Sequence, residues 1–380
     1  MPLRRILTVL TLIASLLLPS TVWAKEPATP ELTLNQAIAM ALAHSESVKR
    51  AEKEIDRTYA WREERADQLD YVPTKAPGNP KVEIAWSNLL AADLTWRMSK
   101  KSLTAEQDEV ALDACKKYWD VLKAQEKVRA AEEGLKKADW ELRRARANFQ
   151  VGMIPQAALV AAEAQLAGAK ATVEAAKNDL DNAYASFNQL VGLWPQDRPV
   201  LVDGVNFVPL EVPDVNVEVG RIVDESPTVW LAKENVTLKK YLEDFMFYTG
   251  EYRPYQARKI EVEQAELDAA SAKKMLEEVT RSLYYNAKSL EESYQALQEG
   301  VKTAEENLRV TKVKYDVGMA TQAEVAAAEA ALAEAKQKAL ETACQHAFIK
   351  LAFEKPWAYI SLAVAGSGAG GSGASGNTRG

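Results

Sequence analysis

The chain has 380 residues, 47 of them basic and 54 acidic, for a formal net charge of −7. An acidic balance of that size argues against a nucleic-acid partner. Two cysteines, Cys115 and Cys344, are too few for a disulfide framework in an exported protein.

Residues 1–24 read as a secretory signal peptide: Arg4 and Arg5, an apolar run from Ile6 to Leu18, and the small-residue exit Val22-Trp23-Ala24. The run is too short to span about 30 Å of hydrocarbon. Its removal takes Arg4 and Arg5 away and leaves 45 basic against 54 acidic residues, a balance of −9. No later stretch is long and apolar enough for a spanning helix, so any membrane insertion must use β-strands.

A short helix is expected from Leu34 to about Leu69, starting near Thr33 or Asn35, with Tyr71-Val72-Pro73 behind it. Next comes the one good strand pair. Val82, Ile84 and Trp86 alternate with Glu83, Ala85 and Ser87; after a turn near Asn88, Ala92, Leu94, Trp96 and Met98 alternate with Asp93, Thr95 and Arg97. An apolar face with tryptophans against a polar face is the pattern of a barrel strand between lipid and lumen. The runs are short against the roughly 9 to 11 residues needed to cross a membrane.

A long helix follows from about Thr104 to Gln150. Ala114, Val121, Val128, Leu135, Leu142 and Phe149 repeat by sevens, with Ala124, Ala131, Ala138 and Ala145 on the companion position. Beyond a turn at Val151-Gly152-Met153, Leu159, Leu166, Val173, Leu180 and Phe187 repeat likewise, accompanied by Ala162, Ala169, Ala176 and Ala183. A seam of one large residue with alanine lets two helices approach closely in a left-handed supercoil. Residues 192–216 form a proline-bearing connector. A second short helix runs from Val217 to about Phe247, with a restart at Ser226-Pro227. The stretch Thr249–Lys259 is too short and polar for a strand pair. A second long helix, Val262 to Asp316, turns at Val317-Gly318-Met319 and returns.

The chain is an internal duplication. Phe149–Ala167 and Tyr315–Ala333 match without a gap at 11 of 19 positions, and the register extends upstream through Tyr118/Tyr284, Glu126/Glu292 and Leu142-Arg143/Leu308-Arg309. The units are thus residues 25–191 (first repeat), 192–216 (connector), 217–362 (second repeat) and 363–380 (flexible Gly/Ser tail). The fold class is mainly α: duplicated long antiparallel helical hairpins with a short, incomplete β-hairpin region. Such a hairpin buries only a narrow stripe, so its remaining burial must come from side-by-side neighbours.

These residues resemble the TolC-like outer-membrane efflux family, in which each repeat is a short helix, a strand pair and a long hairpin whose turn reads approximately aromatic-x-Val-Gly-Leu-x-x-x-x-Asp-Val. Phe149-Gln150-Val151-Gly152-Met153 and Tyr315-Asp316-Val317-Gly318-Met319 match the turn, and Leu180-Asp181-Asn182-Ala183 with Leu190-Val191-Gly192 looks like the end of the first hairpin. The resemblance implies a homotrimer whose hairpins form a hollow periplasmic cylinder, a coiled-coil α-barrel when trimeric, and an outer-membrane β-barrel, a passive exit duct working with a periplasmic adaptor and an inner-membrane transporter in efflux or type I secretion. It makes Val151, Gly152, Met153, Val317, Gly318 and Met319 adaptor contacts, Tyr315 and Glu324 entrance residues, and Val82, Ile84, Trp86, Leu94 and Trp96 barrel-strand residues. The glycines are equally the left-handed caps that end helices, and Thr321-x-x-Glu324 is equally a capping box. Where the family commonly has Asp, this chain has Ala158 and Glu324. The weak strands leave a second reading, an exported coiled-coil scaffold or spacer that has lost the membrane barrel.

No enzyme is expected, nor a cofactor or metal. His44 and His346 are the only histidines, no nucleophile and base are paired, and the Gly-rich tail follows no strand and opens no helix. Counted along the hairpins from Gly152 and Gly318, Cys115 and Cys344 differ in height by about 15 Å at 1.5 Å per residue, too far for a bond.

Overall fold

The computed structural model describes residues 29–72, 80–244 and 255–369. The expected signal peptide, the prolines at 73 and 254, and residues 370–380 of the expected tail lie outside that range. In chain order the elements are β1 (Glu31–Leu32), α1 (Leu34–His44), α2 (Glu46–Asp67), α3 (Pro80–Gln150), α4 (Gln156–Val191), β2 (Val200–Leu201), α5 (Val215–Glu225), α6 (Pro227–Asp244), α7 (Tyr255–Asp316), α8 (Gln322–Glu354) and α9 (Pro356–Ala369).

Two hairpins dominate, α3 with α4 and α7 with α8, and α3 also packs against α8. At 71 and 62 residues, α3 and α7 extend roughly 105 Å and 93 Å at 1.5 Å per residue. The heptad seams account for the burial: Ala114, Val121 and Phe187 are fully enclosed, and Leu142, Val173, Ala176, Val301, Val325 and Ala339 are buried with them. The duplication is repeated in the packing. Tyr118 meets Phe187 edge-on with ring centroids 6.0 Å apart, and Tyr284 meets Phe353 at 6.2 Å, the same pair moved into the second repeat.

The shorter helices start and break for local reasons. Thr33 caps α1 through a reciprocal box with Gln36. The single helix expected from Leu34 to Leu69 is instead two, broken at Ser45, whose hydroxyl accepts from the Val48 amide at 3.3 Å and contacts the Ser47 hydroxyl at 3.1 Å. Ser226 does the same between α5 and α6, toward the Val229 amide at 3.3 Å and Thr228 at 3.0 Å. Only the second break contains a proline, and only the second was readable from sequence.

The expected strand pair is corrected. Val82, Ile84, Trp86, Leu94 and Trp96 all lie on α3, which begins at Pro80 rather than near Thr104. Alternation contains its own helical stripe, because every second residue includes every fourth: 82, 86, 90, 94 and 98 share one helical face. That stripe packs on α2. Leu94 is fully buried, Tyr59 and Trp96 lie 5.4 Å apart, the hydroxyls of Thr58 and Ser99 meet at 2.9 Å, and Arg62 pairs with Asp93 at 2.9 Å. The turn expected at Asn88 has neither Gly nor Pro, and Leu89-Leu90-Ala91-Ala92 are strong helix formers. The described part of Thr249–Lys259 is likewise helical, the start of α7.

Among the described residues the strands are β1 and β2 alone, paired in parallel. They tie the residues before α1 to the connector: Tyr118 Oη donates to the Leu32 carbonyl at 3.2 Å and accepts from the Asp203 amide at 3.0 Å. Asn188, fully buried, folds the start of the connector by donating to the carbonyls of Trp194 and Asp197. After α8, Pro356 interrupts the backbone ladder and α9 continues along α3 to Ala369, so residues 363–369, expected in the flexible tail, are helical. Asp108 of α3 anchors this joint, accepting from Lys355 Nζ and, at 2.9 Å, from Trp357 Nε1.

Both cysteines are buried and free. Burial raises the Cys115 thiol to about 11 and the Cys344 thiol to about 12.

Candidate functional site

The two hairpin ends carry Met319 and Met153, the two most exposed large apolar side chains among the described residues. Each long helix closes with glycine in the left-handed conformation, Gly152 at φ 74° and Gly318 at φ 75°. In the first, the Gly152 amide donates to the Phe149 carbonyl at 3.0 Å and the Met153 amide to Asn148 at 2.8 Å. In the second, Gly318 donates to Tyr315 at 2.9 Å and Met319 to Lys314 at 2.7 Å. This double hydrogen bond needs a residue with positive φ, and glycine adopts it without a Cβ penalty. It satisfies carbonyls that a helix end leaves free, and it turns the neighbouring side chains outward. Val151 (69%), Met153 (74%), Val317 (64%) and Met319 (78%) are largely in solvent. Four mobile or branched apolar side chains at the ends of two rigid rods suit a surface that another protein covers.

The ends differ in how the return helix begins. α4 starts behind Pro155 with no side-chain cap, whereas Thr321 caps α8 in a full box with Glu324. Glu324 Oε2 accepts from the Thr321 amide at 2.6 Å and its hydroxyl at 3.0 Å, and the Glu324 amide returns a bond to Thr321 Oγ1 at 3.3 Å. The bond from the Thr321 amide holds the carboxyl below its usual range, helped by the Thr321 hydroxyl and by the charges of Arg144 and Lys314. Glu324 is therefore a fixed, exposed anion, and Ala158 places no charge at the matching position of α4. Tyr315, half-exposed, sits on the last turn of α7, its carbonyl held by Gly318. One turn further from each end a cross-hairpin ion pair recurs in register: Arg146 to Glu163 at 3.4 Å and Lys312 to Glu329 at 3.0 Å.

The five residues expected in barrel strands are not part of this site. Val82 lies near the opposite end of α3, about 100 Å from Val151 at 1.5 Å per residue.

A polar cluster that sequence reasoning missed fastens the connector to the second hairpin. Glu291 accepts from the Leu210 amide at 2.7 Å and from Lys288 Nζ at 2.9 Å, and lies 3.3 Å from His346 Nε2, while Lys288 also donates to the Leu210 carbonyl at 2.6 Å. Phe207 stacks on Tyr294 at 3.9 Å and lies 4.5 Å from the His346 ring. Burial pushes the His346 pKa down, against the pull of Glu291. Glu291 is itself held below its ordinary value: burial works the other way, and the bonds from Lys288, Leu210 and His346 outweigh it. Its signal in the sequence was a histidine on a seam position. The arrangement is structural, and no group of three metal-ligating side chains occurs among the described residues.

The family model described as Outer membrane efflux protein matches residues 86–193, nearly all of α3 through the end of the first hairpin. The fold is that of outer-membrane channels. CmeC from Campylobacter jejuni is 13% identical, with 88% of this chain and 89% of that chain aligned and a TM-score of 0.65. VceC from Vibrio cholerae is 12% identical over 86% and 95%, at 0.59. The open-state MtrE channel of Neisseria gonorrhoeae is 14% identical over 86% and 88%, at 0.58. No curated protein matches the sequence. The resemblance read from the doubled turn is thus matched by a family model and by fold.

Proposed function

We propose that this chain is the wall of a passive efflux duct: an exported protein, most of it in the periplasm with its outer end directed to the outer membrane, assembled as a homotrimer around a hollow axis. The observation that carries this reading is the doubled hairpin. Two slender, equivalent rods with matching seams and matching glycine-capped ends cannot enclose their own exposed faces, and copies arranged about a common axis would cover the flanks and leave a lumen. The family match over the first hairpin supports the same role.

In this reading the hairpin ends meet a periplasmic adaptor, with Val151, Gly152, Met153, Val317, Gly318 and Met319 as the contact surface, and an inner-membrane transporter supplies the drive. Glu324, fixed by its cap, sets a carboxylate at the entrance beside Tyr315; across a narrow opening such charges favour cations over anions. The cap and the entrance role are compatible, since capping engages Oε2.

The continuous helix α3 favours attention to one other reading, an exported spacer whose assembled centre is solid. Crosslinking of the purified full-length protein followed by electron microscopy in projection decides between them. A threefold particle with an open centre supports the duct, and a monomer or a filled centre refutes it.

A further inference from the structure

Resting on the homotrimer proposed above, we infer that neighbouring copies join through α7 of one and α4 of the next, with Tyr285 buried against Asn178 and Asn182 of the neighbouring copy.

The chain already contains one example of this contact. Its four hairpin helices pack in the order α4, α3, α8, α7, so α3 and α8 are flanked on both sides while α4 and α7 end the row. The two repeats meet where α3 lies on α8. Trp119 of α3 is only 7% exposed, in the apolar cluster that holds Cys344 of α8 and has Phe348 packed against it. The Asp108–Lys355 ion pair fixes the level: Trp119 lies eleven residues along α3 from Asp108, and Cys344 lies eleven residues back along the antiparallel α8 from Lys355.

The ungapped register of the repeats carries this contact over to the two ends of the row. A shift of 166 residues takes Trp119 to Tyr285 on α7, and the reverse shift takes Cys344 and Phe348 to Asn178 and Asn182 on α4. Each shift keeps a residue's count from its glycine cap, 33 residues for Trp119 and Tyr285 and 26 for Cys344 and Asn178, so the levels agree as well. These positions stand open: Tyr285 is 64% exposed, and both asparagines are exposed. One repeat position is thus an enclosed aromatic on α3, which has α8 beside it, and a solvated aromatic on α7, which ends the row. The replacement of Cys344 and Phe348 by asparagines matches that of Trp119 by Tyr285, because an amide can pair with a tyrosine hydroxyl at a contact first made in water.

α4 carries a second face along its length. Ala161, Ala164, Gly168, Ala171, Ala175 and Asn178 are spaced by three and four residues and are all exposed. At about 100° per residue this uncharged face is centred about 150° from the buried seam that meets α3, so the neighbouring α7 and α3 would lie on nearly opposite sides of α4. Contacts between unlike flanks are heterologous, the kind from which rings are built.

The test is disulfide crosslinking of the full-length protein in the cells that make it, under a mild oxidant. Tyr285→Cys is combined in one chain with Asn178→Cys, with Asn182→Cys or, off register, with Ala164→Cys, about 21 Å from position 178 at 1.5 Å per residue. The native Cys115 and Cys344 are buried and give little background. The expected result is dimers and closed trimers through Asn178→Cys or Asn182→Cys and none through Ala164→Cys. Bonds through Ala164→Cys as strong as those at the other two positions, or none at either of those two, overturn the inference. If the paired variants do not accumulate, hydroxyl-radical footprinting of the unaltered protein decides: modification of Tyr285 no greater than that of its half-buried neighbour Tyr284 is expected, and greater modification overturns it. Either overturning result leaves the duct standing if the particle in projection is threefold and hollow, whereas a monomer in projection removes both.

Discussion

Three glycines in the same backbone conformation offer a controlled measurement of one close contact. Gly152, Gly192 and Gly318 have φ of 74°, 78° and 75°, so alanine at each meets the same left-handed strain, about 1–2 kcal/mol. At Gly152 and Gly318 an added Cβ meets nothing within 4 Å, whereas at Gly192 it would lie 2.6 Å from His44 Nδ1 and 2.8 Å from Cγ. His44 is exposed and must swing off its rotamer, which adds about 0.5–1.5 kcal/mol. Gly192→Ala is therefore expected to cost about 1.5–3.5 kcal/mol in total. Urea unfolding followed by circular dichroism reads the difference. In a His44→Ala background the added cost of Gly192→Ala should fall to that of Gly152→Ala, because only strain remains. A Gly192→Ala cost no greater than that of Gly318→Ala, unaltered by His44→Ala, would refute the proposed contact between the end of α4 and the end of α1.

Phe187→Ala and Phe353→Ala remove equivalent aromatic partners from the two repeats and should each lower stability by about 3–5 kcal/mol, measured by urea unfolding. Trp357→Phe removes the Nε1 donor to Asp108 and should cost about 1.5–3 kcal/mol, with faster amide exchange in α9 as its local signature. The native state disfavours a proton on His346, so the unfolded chain binds it more readily and stability falls as pH drops below the ordinary value of 6.5. Glu291 adds a second loss lower down, as pH falls from 4.5 through its depressed native value; His346→Gln should flatten the upper step in a series of urea midpoints. Gly318→Pro cannot adopt a positive φ and removes the amide bond to Tyr315. It should abolish export while the protein remains present, and undiminished export would count against docking at the hairpin ends.

The readable parts of this chain are those in which one residue type answers a local requirement. Gly152 and Gly318 mark turns because backbone geometry demands them, and Thr321 with Glu324 marks a helix start because both partners lie within one turn. The heptad alanines foretold the seams because supercoil packing has a fixed period. Legibility failed where two geometries share a pattern, as between Val82 and Met98, where tertiary contacts with α2 select helix. It failed again at Ser45, whose hydroxyl ends a helix without the proline that advertises the same break at Ser226. The clamp of Glu291, Lys288 and His346 on Leu210 joins residues as far as 81 positions apart, and no local rule announces such a meeting. Of the candidate site, the capped ends were visible in advance, but their unequal return helices emerged only from the bonding at Pro155 and Thr321.

The ungapped register between the repeats makes each hairpin a ruler with a fixed graduation. One inserted residue turns everything beyond it by about 100° and carries the seam off its partner, whereas seven residues leave a mismatch of only about 20°. Added to both arms at the same level, seven residues would lengthen the rod by about 10 Å with its seam still facing inward. Reach in this architecture can therefore be altered by evolution or by engineering only in steps, taken in both repeats at once, and never one residue at a time.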